Sequence, residues 1–219
     1  MMPAKNALFC ILAALIWGTA FSAQKVGGDV MGPLLFNGTR SILGFLALIP
    51  LAALSLQRRK KSEEAGKVPA LALRKNLLGG AACGLVLFAA STTQQLGIVT
   101  ENVGKAGFLT AMYIIIVPVM DLIVHRRSSA RVWVSVLLCL LGLYFLSFSG
   151  AAGFSAGDGL LVVCAVMFSL HIMVIDHFTG ADTDPVLLSC VQFLTCGILG
   201  MASAALTEGI SFGSFIFLV

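Results

Sequence analysis

Charge is what this chain has least of. Only 11% of its 219 residues are Asp, Glu, Lys or Arg, 58% are hydrophobic, and the mean hydropathy is +1.00. A soluble globular domain carries roughly 25% charged residues, so water is not the solvent of this chain. Six cysteines are present (Cys10, Cys83, Cys139, Cys164, Cys190 and Cys196), but none stands in a CxxC or Cys/His ligand spacing. Neither a disulfide framework nor a metal site is expected, and the cysteines read as small core residues. No GxxxxGK[ST] loop occurs, so ATP-driven work within the chain is not indicated and no cofactor is expected.

Long apolar runs dominate what is there. Segments of membrane-spanning length fall at Ala7–Val26, Pro33–Leu56, Leu77–Ile98, Gly104–Val124, Val132–Phe148, Gly159–Phe178 and Pro185–Leu206. Short turn-rich connections such as Gly27-Gly28 and Gly150-Ala151-Ala152-Gly153 separate them, and only the Gln57–Asn76 loop is longer. No soluble domain fits between the spans. The expected fold is an all-α polytopic membrane protein with seven spans.

The net charge of +4 reflects topology, not a nucleic-acid partner. With the N-terminus in the cytoplasm, Lys5, the seven basic residues from Arg58 to Lys75, and Arg126, Arg127 and Arg131 all fall inside. These are 11 of the 14 Lys and Arg, as expected of a cytoplasmic-membrane protein in that orientation. The Asp176–Asp184 loop falls inside as well, yet it carries acids and His177 and no basic residue. The first span has the outline of a secretory signal, with Lys5 ahead of an apolar run ending near Phe21-Ser22-Ala23. The run is long for a signal, and Phe21 occupies a position that favours small residues, so the span is expected to be retained.

The sequence also repeats itself. A shift of 152 residues sets Ala7–Leu54 against Gly159–Leu206 without a gap, pairing Gly28 with Gly180, Pro33 with Pro185 and Arg40 with Gln192. Five spans separate the pairs, an odd number, so the second unit enters the membrane inverted relative to the first. Residues 1–150 form a complete five-helix unit on this reading, and 157–219 a partial one. A full second unit would run to about residue 300, and Phe212–Val219 reads as the opening of an eighth span, so a truncated or partial chain is expected.

Several short motifs fall in register with this division. Trp17-Gly18-Thr19-Ala20-Phe21 resembles the WG-x-x-F of the EamA-type branch of the drug/metabolite transporter superfamily. Thr100 to Pro118, TENVGKAGFLTAMYIIIVP, is similar to that family's fourth-helix signature. Gly142-Leu143-Tyr144-Phe145-Leu146 resembles its GxYLL, and Gly157-Asp158-Gly159-Leu160 the GD-x-L that opens its second repeat. The resemblance implies ten helices in two inverted units around a central cavity. It also implies export or uptake of amino acids, related metabolites or toxic compounds by alternating access.

Polar residues inside the spans are the candidates for cavity chemistry. Arg40 lies seven residues past Pro33, about 10 Å into its helix, where it either faces a cavity or snorkels to the interface. Asn37 stands one turn before it, and Gln192 at the repeat-equivalent place. His171 is open to a proton relay or to a bond with a neighbouring helix, and Gln94 and Gln95 to helix packing or solute contact. Trp17 and Tyr113 present aromatic faces at mid-helix, suited to a cavity wall. Pro118 frees a backbone carbonyl and marks a helix bend. Glu101 and Lys105 read as an outer-rim ion pair, and Asp121 as an anchor near Arg126 and Arg127.

The expected function is secondary transport, chiefly export, of a small solute, with the bilayer and the solute as partners and a homodimer as one working form. A non-transporting fragment or membrane subunit is the alternative. An intramembrane hydrolase is more remote, with Ser149 and His171 the only nucleophile and base available and no oxyanion motif beside them, so the chain is not expected to be an enzyme.

Overall fold

The computed structural model describes residues 4–66, 69–125, 132–134, 136–138, 141 and 155–208. Helices α1 (Ala4–Met31), α2 (Pro33–Glu64), α3 (Leu73–Thr100), α4 (Val103–Ala111), α5 (Tyr113–His125), α6 (Ala156–Phe178) and α7 (Pro185–Thr207) follow in order, with no strand among the described residues. Among the described residues, five stretches are long and apolar enough to cross a membrane: α2, α3, Val103–Ile123, α6 and α7. The chain is an all-α polytopic membrane protein. Of the fifth expected span, residues 132–134, 136–138 and 141 are helical, and its GxYLL-like motif lies outside the described residues. The Gly150–Gly153 turn, Ser149, the arginines at 126, 127 and 131, and Phe212–Val219 also lie outside them.

Two helices depart from their expected bounds. Helix α2 continues past Leu56 to Glu64, because Arg58 to Lys61 are good helix formers and Arg59 pairs with Glu63 one turn on at 3.1 Å. It ends where Gly66 takes φ +66°, a left-handed conformation that only glycine adopts freely. The fourth span is interrupted at Met112, where the hydrogen-bond ladder tightens in part: Met112 N–H bonds Leu109 O at 3.2 Å and Ile115 N–H bonds Met112 O at 2.9 Å, while Ile116 N–H keeps the α-helical bond to Met112 O at 3.2 Å. This break precedes Pro118, which sits inside α5.

Packing is closest between α2 and α7, and α3 lies against α6 and α7. Small residues allow it, as expected where lipid is no worse a solvent than a neighbouring helix and van der Waals contact drives association. Gly38 of α2 and Gly200 of α7 meet backbone to backbone. A Cβ on Gly38 would lie 2.7 Å from Met201 N, and one on Gly200 2.7 Å from Gly38 Cα. Cys83, Cys164, Cys190 and Cys196 are buried free thiols.

The loops sort into two ends. At the basic end, Arg59 donates to Thr183 O and Ala181 O, each at 2.7 Å, and Lys75 pairs with Asp182 at 3.0 Å. The Asp176–Asp184 loop, short of basic residues, therefore supplies acceptors to the basic loop beside it. The Lys75 ammonium, through its hydrogen bond, holds the Asp182 carboxyl below the usual carboxylate range.

Carboxylates cap α2 and α7 on amides that stand 152 residues apart. Asp184 accepts from Val186 N and Leu187 N, both at 2.9 Å, and Ser55 of α2 donates to its other oxygen at 2.6 Å. At the opposite end Glu208 reaches back from the end of α7 to Leu34 N and Leu35 N, both at 2.9 Å. Gly32, at φ +88°, makes room for it, since a Cβ there would lie 2.7 Å from Glu208 Oε2. Negative charge at a helix N-terminus satisfies orphan N–H groups and the helix dipole together. Glu208→Ala is expected to cost about 1–2 kcal/mol of thermal stability. Melting of the purified variant in detergent checks this, and an unchanged Tm would refute the cap.

Candidate functional site

A cavity of about 220 Å³ lies among α1, α2, α3 and α6. Helix α1 contributes Trp17, Ala20, Phe21 and Gln24, a stripe at i, i+3, i+4 and i+7 that one helical face must share. Helix α3 contributes Leu87, Ser91 and Gln94 by the same spacing, and Arg40 and Phe168 close the wall. Aromatic rings thus form much of the lining, and three long polar side chains point their chemistry at one space.

Those three side chains have no hydrogen-bond or ion-pair partner among the described residues. Gln24 and Gln94 are buried, at 7% and 4% exposure, and neither amide hydrogen-bonds any described residue. The Gln24 Oε1 is fully enclosed and unsatisfied. Arg40 is half-buried, and no described carboxylate lies within salt-bridge reach of it. A buried amide without a partner costs roughly 1–3 kcal/mol and an unpaired buried charge more, so such groups are retained where something else binds them.

The remaining sequence candidates stand behind or beside this wall. Asn37 is fully buried and donates to Ser91 Oγ at 3.0 Å and Thr92 Oγ1 at 3.3 Å, fixing the α2/α3 contact beneath the cavity. Gln95 is fully buried and donates to the backbone carbonyl of Gln24 at 2.7 Å, which holds α1 in place. His171 Nε2 and Gln192 Oε1 are 3.1 Å apart and bind each other between α6 and α7. Tyr113 lies against Phe168, with ring centroids 6.4 Å apart. Trp17, Arg40 and Gln94 are the candidates that line the cavity itself.

Gln24, Ser91 and Phe168 line it without any motif of the sequence pointing to them, and Phe21, the last residue of the WG-x-x-F-like motif, lines it as well. Their signal was helical periodicity: each of the first three sits one or two turns from a residue that was noticed. Gln24 passed unmarked because it adjoins Lys25 near the end of an apolar run, where polar residues are ordinary.

Above this cavity, toward the Gly32 end, lie two layers. Ile98, Ala106 and Leu161 are fully buried together, with Phe21 and Leu109 packed on them. Beyond them Lys105 pairs with Asp158 at 2.7 Å and Glu101 at 3.4 Å, so the expected Glu101–Lys105 pair is one side of a larger cluster whose nearer contact comes from α6. Ser155 caps α6 by accepting from Asp158 N at 3.1 Å, while its own N–H donates to Asp158 Oδ2 at 2.8 Å and its hydroxyl to Glu101. Lys25 of α1 donates to the carbonyls of Val99 and Glu101 at the end of α3.

A larger cavity of about 590 Å³ lies between α5 and α6 at the basic end, with Asp121, Asp176 and His177 as its polar lining beside Pro118. Its walls are otherwise aliphatic. Volume alone does not make it the better site, because Arg40, Gln94 and the unsatisfied Gln24 Oε1 line the smaller one.

The chain matches the model of the EamA-like transporter family over residues 4–148. A protein of Archaeoglobus fulgidus named an uncharacterized transporter is 29% identical over 197 residues, which are 90% of this chain and 56% of the relative. The chain thus spans about half the length of the curated relative it matches. No solved structure matches it. The match covers the helices that build the cavity wall from α1 to α3, and by it the chain belongs to the EamA-like transporter family.

Proposed function

We propose that the chain forms, or forms part of, a secondary transporter of the cytoplasmic membrane that exports small metabolites by alternating access. Its N-terminus lies in the cytoplasm, and residues 1–150 and 157–219 act as inverted units around the Arg40 cavity. The observation that carries this reading is the convergence of Arg40, Gln24 and Gln94 on one cavity with no partners among the described residues. Groups that the fold leaves unpaired are available to a passing solute. Arg40 supplies only donors and a positive charge, the glutamines supply donors and acceptors, and Trp17, Phe21 and Phe168 supply flat apolar walls. That chemistry fits an anionic or zwitterionic solute carrying an apolar or ring group. The volume lies below the roughly 300–1,000 Å³ of drug-sized sites, favouring metabolites over larger toxic compounds.

The hydrolase alternative gains nothing from the geometry, because the His171 ring is engaged by Gln192. Flux into liposomes containing the purified 219-residue chain, alone and beside the longer relative, tests transport. Accumulation of radiolabelled carboxylates and zwitterions over cations of matched size is the expected result. Flux of cations alone would overturn the solute class, and flux by the relative with none by this chain would leave it a non-transporting part.

A further inference from the structure

We propose that α4 is a hinged lid over the Gly32 end of the cavity, turning about Met112 and bolted shut by Lys105. The inference rests on the transport reading for its purpose, but not for its geometry. A membrane span that must move in part needs a weak point in its ladder, and this one has it: two hydrogen bonds at Met112 are of the tighter i to i+3 kind, beside one ordinary i to i+4 bond from Ile116 N to Met112 O at 3.2 Å, and this change of register divides a nine-residue segment from the rest of the span. Nine residues including Gly104 and Gly107 make a helix too short and too glycine-rich to persist by itself, so its position depends on what holds it.

What holds it is thin. On the inner side, Ala106 and Leu109 pack with Phe21, Ile98 and Leu161. Phe21 also lines the cavity, so one layer of side chains separates lid from solute space. On the outer side Lys105 is the lid's single cation, shared between Asp158 of α6 and Glu101 at the end of α3. The rest of that cluster does not involve the lid: Ser155 binds Glu101 and Asp158, and Lys25 binds α3 carbonyls. Removing Lys105 would therefore free α4 while leaving α1, α3 and α6 joined.

The closed state also leaves polar atoms poorly satisfied where opening would wet them. Asp158 Oδ1, beneath the bolt, is buried without a partner among the described residues, and Thr110 Oγ1, two residues before the hinge, has only the weak thiol of Cys164 beside it. Both gain hydrogen bonds when water enters, which offsets part of the loss of the apolar layer. A lid whose closure leaves two polar atoms short of hydrogen bonds is poised to open.

Hydrogen exchange of the intact chain in lipid nanodiscs tests this without requiring transport. Amides of residues 104–111 are expected to exchange on the order of tenfold faster than those of α3 and α6, with a step in protection at Met112. Lys105→Met should accelerate them on the order of tenfold again, leaving residues 113–117 and α6 unchanged. A smooth gradient of protection through Met112 would mean simple end fraying and would overturn the hinge. Unchanged exchange in Lys105→Met would overturn the bolt, and Lys105→Gln provides the same test should the Met variant fail to fold. Because exchange is read with or without solute flux, a failed lid and a failed transport assignment give different results.

Discussion

Arg40→Met is expected to abolish solute flux while leaving the protein as stable as before, or more so. The guanidinium lines the cavity with no described carboxylate in reach, so it is a charge held in an apolar span without a paired acid among the described residues. Exchanging it for a thioether of similar length removes that cost. For an anionic solute the same change removes charge-assisted hydrogen bonds, each contributing about 1.5–3 kcal/mol, so kcat/KM should fall on the order of 100-fold or more. Arg40→Lys should fall between, since it keeps the charge and loses the planar fork. Flux in liposomes and thermal unfolding in detergent, measured on the same preparations, decide the matter. A structural arginine would show the opposite pattern, with lowered Tm and flux reduced only in proportion to folded protein.

The second large effect concerns assembly. Gly200→Val is expected to destabilise the chain by about 3 kcal/mol or more, because the added carbons must enter the backbone of α2 at Gly38, with no flexible side chain to give way. Helices α2 and α7 would separate along their most extensive contact and carry Arg40 out of register with Gln24 and Gln94. The matching change Gly38→Val should behave alike. Gly18→Ala is the contrast: a Cβ there meets nothing within 4 Å, and the change should be neutral or stabilise the helix by about 0.5–1 kcal/mol. Yield of monodisperse protein and its melting temperature distinguish the two classes. Equal Tm values for Gly200→Val and the parent would show that the helices do not approach as closely as described.

Much of the fold is readable in the sequence alone. A span must cross about 30 Å of hydrocarbon with its backbone satisfied internally, so its existence and length are local properties of some twenty residues. Six of the seven expected spans fall on described helices, the fourth as the pair α4 and α5, and five of them are long and apolar enough to cross a membrane. Exceptions arose where a local rule met a neighbour. Helix α2 outran its apolar segment because its basic tail is itself helical and finds acceptors in the Ala181–Thr183 loop. The interruption in the fourth span came at Met112, ahead of the Pro118 that the sequence made conspicuous.

The cavity was legible only in part, and the reason is physical. In water, a helix advertises its inner face by amphipathic contrast, but in lipid both faces are apolar and the contrast fades. Arg40, Gln94 and Trp17 stood out by type alone, while Gln24, Phe21 and Phe168 needed the neighbouring helices to show which stripe faced inward. Conversely, Asn37, Gln95, His171 and Gln192 are as unusual in sequence as Arg40, yet Asn37 and Gln95 commit their amide N–H groups to the protein and leave only their buried oxygens unsatisfied, while His171 and Gln192 bind each other.

By itself, then, the sequence determined the solvent, the spans, the grouping of basic loops and the family motifs, because each depends on composition over one helix or one loop. Tertiary structure alone decided which polar groups are satisfied and which are left open. Lys105 found Asp158 across 53 residues, and Glu208 found the amides of Leu34 and Leu35 across more than 170. A hydrogen bond is settled by direction and by distances of about 3 Å, and only the packed helices set these.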